Sequence, residues 1–222
     1  MPGIAFAKPA FDVGFATNDL DGFRSLWEGR AGLVYDHLAR LGGGFHQHRW
    51  RMGDSIIKVN HTRTPLENSA VGGYRSLTLK AGEDADLVTP DGAPVHLRKN
   101  PGADLTLHAE TADPDALARF YGEHLGLEPD GANAFRLGGS RLVISPGAAP
   151  GRTGWRERGL RYMTVQIFDC DGLTAEMQAA GVEIGQPPRT IGQVRYSFVR
   201  DPDGNWIELS ERASLTGKAV SA

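Results

Sequence analysis

At 222 residues the chain has room for one large domain or two small ones, and either can bury a real core. Hydrophobic residues make up 40% and charged residues 23%, with a formal net charge of −3, which leaves no basic face for nucleic acid. No apolar run approaches a membrane span, and the opening MPGIAFAKPAFD lacks a signal-peptide apolar stretch of useful length. The single cysteine, Cys170, can form neither an internal disulfide nor a CxxC metal site. A cytoplasmic protein is the expectation these absences leave.

The first predicted strand covers 11–17 and runs into TNDLDGFRSLWEGRAGL, a helix with Asp19 as N-cap and Gly32 as stop. Its Phe23, Leu26 and Trp27 fall at i, i+3, i+4 and make a stripe for core packing. FHQHRW and SIIKVNH then form a hairpin turning at Met52–Asp54. A second unit, 73–99, has a first and a last strand but almost no room for a helix. The third unit, 104–146, opens with DLTLHAET and continues into TADPDALARFYGEHLGL, with Asp113 as cap, Pro114 in the first turn and Gly126 as stop. Strands around AFRL and RLVIS complete it. The fourth, 159–212, has strand YMTVQIF, a helix from about Leu173 to Ala180 ended by Gly181, and strands RYSFVR and NWIEL. The tail SLTGKAVSA is expected to fray.

These units repeat one another. The two helical segments overlay without a gap, TPDGAPVHL overlays DPDGNWIEL with His96 in the place of Glu208, and GYRSLTLKA overlays GLRYMTVQI with Ser76 opposite Tyr162. Each full unit reads β-α-β-β-β. A helix between strands makes a parallel crossover and the hairpins are antiparallel, so the class is α+β with mixed sheets.

TADPDALARFYGEHLGL and the closing RDPDGNWIEL resemble segments of the vicinal oxygen chelate superfamily, which includes glyoxalase I, bleomycin-resistance proteins and extradiol ring-cleaving dioxygenases. The four units cover almost the whole chain, with the likeness strongest over 104–212. The resemblance implies tandem βαβββ modules in cupped mixed sheets, each cup holding a site. It suggests an N-terminal domain over 1–100 with a shortened second module, a C-terminal domain over 101–214 and a flexible tail over 215–222. It also implies metal ligands, commonly His and Glu, on the first and last strands of paired modules. Glu208 falls on a last-strand position, as do Lys58, His96 and Val143. The first-strand positions are Asp12, Ser76, Thr106 and Tyr162, so the usual histidines are missing.

Alternation along strands places Thr106, His108 and Glu110 on one face, and Tyr162, Thr164 and Gln166 on another. Glu208 and His108, with Glu110 or Gln166 as third ligand, would offer donors suited to Zn2+, Fe2+, Mn2+ or Ni2+. The alternative is a wet pocket with no metal. In the N-terminal half, a three-residue loop between Arg51 and Ser55 would turn His46, His48, Trp50, Lys58 and Asn60 into the cup. A two-residue Gly53-Asp54 turn would flip the register and pair His48 with Val59. In the first register Lys58 repels a dication, and His46, His48 and Lys58 orient an acidic group of a substrate. Trp50, Trp206 and Tyr162 are candidates for an aromatic groove.

The DPDG turns have Pro and Gly where tight turns need them. The glycine runs at 42–44 and 138–139 lack the context of a phosphate cradle, and Cys170 has no activating base. RTGWRERGLR, 152–161, reads as a solvated linker between units. The favoured function is a small-molecule enzyme with Glu208 as ligand or base and Tyr162 as proton donor. Tandem architecture suggests a ring-cleaving dioxygenase, with a glyoxalase-type lyase or isomerase as alternative. A metal-free binding protein of the bleomycin-resistance kind is the second class, and a homodimer is a further expectation.

Overall fold

The computed structural model describes residues 4–67 and 70–221; the first three residues of the opening stretch and Ala222 of the tail lie outside it. Unit one comprises β1 (Asp12–Thr17), α1 (Leu20–Arg24), β2 (Val34–Gly42), β3 (Phe45–Met52) and β4 (Ser55–His61). Unit two has β5 (Tyr74–Lys80), β6 (Ala85–Val88) and β7 (Pro94–Arg98), with no helix. Unit three has β8 (Leu105–Thr111), α2 (Pro114–Arg119), β9 (Glu128–Pro129), β10 (Ala134–Leu137) and β11 (Ser140–Pro146). Unit four has β12 (Gly159–Ile167), α3 (Cys170–Ala179), β13 (Glu183–Ile191), β14 (Val194–Arg200) and β15 (Trp206–Arg212). The expected tail begins inside a short helix, α4 (Ala213–Thr216), and Ser221 accepts a hydrogen bond from Thr190 through its carbonyl.

The helices start and stop as their sequences dictate. Asp19 and Asp113 accept from the backbone N–H of Gly22 at 2.8 Å and Ala116 at 3.0 Å. After one turn both helices continue as π-helix, Ser25–Arg30 and Phe120–His124, and both are followed by glycine at φ +67°, Gly32 and Gly126. α3 starts three residues before its expected place because Asp169 caps it through the N–H of Gly172. The apolar stripes are core: Phe23, Leu26, Trp27, Leu117, Phe120 and Tyr121 are all buried, and Phe15 meets Phe23 at 5.3 Å between ring centres.

Two curled mixed sheets result. One runs β13-β14-β15-β12-β1-β4-β3-β2, the other β6-β7-β5-β8-β11-β10-β9. The first joins unit one to unit four through antiparallel β1 and β12, and the second joins unit two to unit three through antiparallel β5 and β8. The boundary expected at 100/101 therefore separates repeats along the sequence but not sheets in space. A cut there would part β1 from β12 and β5 from β8. The shortened unit pairs within the chain, and its β6 is a sheet edge.

The fourth unit's DPDG turn pins the two sheets together. The buried Asp201 carboxylate accepts from the backbone N–H of Asn205 and the Tyr121 hydroxyl, both at 2.9 Å, and Tyr121 lies 2.7 Å from the Tyr74 hydroxyl. Asn205 accepts the backbone N–H of Gly73 at 2.9 Å through Oδ1, and donates to Asp201 through Nδ2. Burial pushes the Asp201 pKa up to about 6 against these bonds. Substituting Asn205→Ala strips partners from a buried N–H and a buried carboxylate. The expected loss is about 1–3 kcal/mol, read as a lower urea midpoint at unchanged slope.

Candidate functional site

The β3–β4 hairpin closes with two residues between Met52 and Ser55. Gly53 takes φ +57° at the first central position, where a type II′ turn favours glycine. This turn pairs His48 with Val59, Arg49 with Lys58 and Gln47 with Asn60. The register that would bring the histidines into the cup is not the one adopted, and a one-residue slip exchanges the faces. Gln47 and Lys58 line the cup. His46 is exposed, while Trp50 is buried in the core and donates through Nε1 to Glu28 at 3.1 Å. His48 packs against Tyr35 and Trp50 and lies 3.3 Å from the Tyr35 hydroxyl.

The pairing of units one and four brings together four positions that the family resemblance singles out, Asp12, Lys58, Tyr162 and Glu208. Thr164 of β12 sits beside Glu208 of β15, and Asp12 of β1 sits opposite Thr164. Lys58, only 1% exposed, donates through Nζ to Glu208 Oε2 and Thr164 Oγ1, each at 2.8 Å, and lies 3.8 Å from Asp12. Thr164 also donates to Glu208 Oε2 at 2.6 Å, whereas Oε1 has no partner among the described residues. Asp12 has a second cation, Lys8. Burial works against the Glu208 carboxylate, but Lys58 beside it holds its pKa below the ordinary value.

Tyr162 completes the floor. Its hydroxyl oxygen accepts from Asn60 Nδ2 at 2.9 Å and Gln47 Nε2 at 3.3 Å. Burial, with the Glu208 charge nearby, raises its pKa and keeps the phenol neutral. Gly14 makes room for the ring: a Cβ there would lie 2.0 Å from Tyr162 Cζ. Nothing in DVGFAT signals that role.

Above this floor is a cavity of about 240 Å³, walled by Trp155, Tyr196 and Phe198 with Leu41, Ile191 and Val194. Trp155 stacks on Phe198 at 5.0 Å and 23°. The stretch 152–161 is therefore not merely a solvated linker: Trp155 and Arg156 from it close the cavity, and Arg156 lies over the Trp155 ring at 4.5 Å. Trp206 is packed behind, meeting Phe198 at 5.6 Å and donating to the Thr153 carbonyl at 2.6 Å. Cys170 is buried, and burial pushes its thiol up to about 11, consistent with an inert structural role.

The expected metal set is split between sheets. Glu208 and Gln166 stand in the first cup, whereas His108 and Glu110 line a cavity of the second. There His108 Nε2 lies 2.9 Å from Thr78 Oγ1 and Glu110 accepts from Arg75. Among the described residues, no three His, Cys, Asp or Glu side chains are grouped to hold a metal ion. In the first cup an ammonium lies among the ligand positions, so a dication would have to displace it. The donor set does not fit a resident metal.

Two outcomes follow. Lys58→Met strands the Glu208 carboxylate in a buried site and is expected to cost about 3–5 kcal/mol by urea unfolding, most of it recovered in the double variant with Glu208→Gln. Burial of His48, with Arg24, His61 and His46 nearby, pushes its pKa from 6.5 down to about 4. The unfolded chain binds that proton first, so stability falls as pH drops from 6.5 towards about 4, and His48→Gln should flatten this part of the urea midpoint's pH profile.

The Glyoxalase/Bleomycin resistance protein/Dioxygenase superfamily model matches residues 107–209. A glyoxalase I mutant from Zea mays superposes with a TM-score of 0.72 at 12% identity, over 94% of this chain and 95% of that one. Glyoxalase I itself from Zea mays gives a TM-score of 0.70 at 12% identity, over 91% of this chain and 92% of that one. At that identity the likeness speaks for the fold alone, and no curated protein matches the chain in sequence. No helix among the described residues is long and apolar enough to cross a membrane. Residues 107–209 thus match the Glyoxalase/Bleomycin resistance protein/Dioxygenase superfamily in sequence, and nearly the full chain is similar to glyoxalase I in fold.

Proposed function

We propose that the chain binds a small, flat, largely apolar molecule in the cup of units one and four, and does so without a metal. The carrying observation is the Lys58 ammonium, bonded to Glu208 and Thr164 where the superfamily's metal ligands converge. A preformed ion pair at the floor with stacked aromatics on the walls suits recognition of a ring bearing an oxygen function. A cavity of about 150 Å³ holds one benzene ring, so the 240 Å³ here suits a bicyclic one. The metal-free binding class considered from the sequence therefore has the stronger support.

A catalytic reading of the same cup is favoured by Tyr162. Its oxygen accepts two amide bonds while its own proton has no acceptor among the described residues, so the neutral phenol can donate to a ligand oxygen. Ionised Glu208, through Oε1, is the corresponding proton acceptor. This supports acid–base rearrangement, in the lyase or isomerase class, over ring cleavage. The metal that the resemblance attaches to ring cleavage would need a donor set that Lys58 interrupts.

The test uses 1-naphthylmethanol as probe, titrated calorimetrically with and without excess EDTA. The expected result is saturable binding that EDTA leaves unchanged and that Trp155→Ala weakens about tenfold. Binding that appears only on adding Zn2+, Mn2+, Fe2+ or Ni2+, or that ignores the loss of Trp155, would overturn the reading.

A further inference from the structure

The charges around the cavity are lopsided. Its lining carries Arg40, Lys58, Arg156 and Arg212 against one carboxylate, Glu208. That carboxylate is already engaged with Lys58 at 2.8 Å, so the floor is close to neutral. The three arginines have no such partner: among the described residues no carboxylate lies within ion-pair distance of Arg40, Arg156 or Arg212. Arg40 and Arg156 are exposed, and Arg212 is half-buried at the end of β15. Arg156 is also oriented, lying over the rings of Trp155 at 4.5 Å and Phe45 at 5.1 Å. Desolvation lowers the Arg212 pKa, with the Arg49 charge adding to the effect. Unpaired guanidiniums converging on an aromatic-walled cavity form a receptor for a planar anion.

We infer that the ligand of this cup is an aromatic anion, a ring carboxylate or comparable oxyanion, whose ring lies against Trp155 and Phe198 and whose charge faces Arg156 and Arg212 and not Lys58. This rests on the binding reading above and adds the ligand's charge and its orientation. It reverses the polarity expected from the sequence, in which Lys58 and two histidines held the acidic group. In the structure Lys58 is committed to Glu208, His46 and His48 belong to the other face of β3, and the spare positive charge lies among the arginines.

The test compares 1-naphthoate with 1-naphthylmethanol, which has a similar ring and no charge, by calorimetry at low and high salt. Naphthoate is expected to bind at least tenfold more tightly at low salt, with the advantage shrinking as salt rises. Arg212→Gln and Arg156→Gln are each expected to weaken naphthoate about fivefold or more and naphthylmethanol by much less, with an unchanged urea midpoint reporting that the variants are folded. Lys58→Met with Glu208→Gln is expected to keep the preference for the anion. Equal affinity for the two probes, or an anion preference lost in the Lys58/Glu208 double variant and kept in both arginine variants, would overturn the inference and leave the binding reading standing. Failure of both probes to bind would overturn the two together. The wild-type comparison and its salt dependence need no variant.

Discussion

The ammonium of Lys58 sits between Glu208, Thr164 and Asp12 with 1% of its side chain exposed, and the arrangement of the first cup depends on it. Alone, a buried cation of this kind carries a desolvation cost of several kcal/mol. Glu208 offsets that cost only because β15 of unit four is carried to the cup by β12, next to β1 and β4 of unit one. A charge on one repeat is thus matched by a charge on another far along the chain. The remaining floor groups are arranged around the pair. Thr164 bonds both of its members, while Asn60 and Gln47 hold Tyr162 in a space that Gly14 leaves open.

This geometry accounts for a cup that is similar in fold to glyoxalase I while the ligand positions implied by the resemblance hold other groups. The pairing of β1 with β12 is set by backbone hydrogen bonds and by the apolar faces beneath, including Phe15, Ile57, Val165 and Leu209, which do not depend on what fills the concave side. The concave side is then free to change its chemistry. Here an internal cation stands among the ligand positions, the walls are aromatic, and the cavity is lined by arginines with no carboxylate partner among the described residues. In the second cup His108 bonds Thr78 and His96 bonds Asp86, so the histidines that suggested a metal are engaged by neighbours on their own sheet.

Much of the framework was legible in the sequence because it is governed by local rules. Asp19 and Asp113 cap helices, Gly32 and Gly126 follow their ends, and the alternation that put Tyr162, Thr164 and Gln166 on one face of a strand holds in the fold. Glu208 was visible as a cup residue on the same grounds. The β3 register was not legible, because FHQHRWRM carries polar and apolar residues on both faces and neither slip violates the pattern. Nor was the partnering of units: a repeat shows that strands are equivalent, not which edges meet. From the strand pattern alone His108 reads as a neighbour of Glu208, whereas the fold places it in the other cup. Trp155 and Arg156 lie in an aperiodic connection, and only the way it folds back shows that they close a cavity.

Lys58 takes the position that a metal would need. Calorimetric titration of the untagged protein with Zn2+ and Ni2+ tests it most directly, run beside the Lys58→Met and Glu208→Ala variants. No stoichiometric uptake is expected for the wild-type chain at neutral pH, because a dication would have to displace a hydrogen-bonded ammonium from its carboxylate. Tight uptake of one equivalent, retained in Lys58→Met and lost in Glu208→Ala, would contradict it.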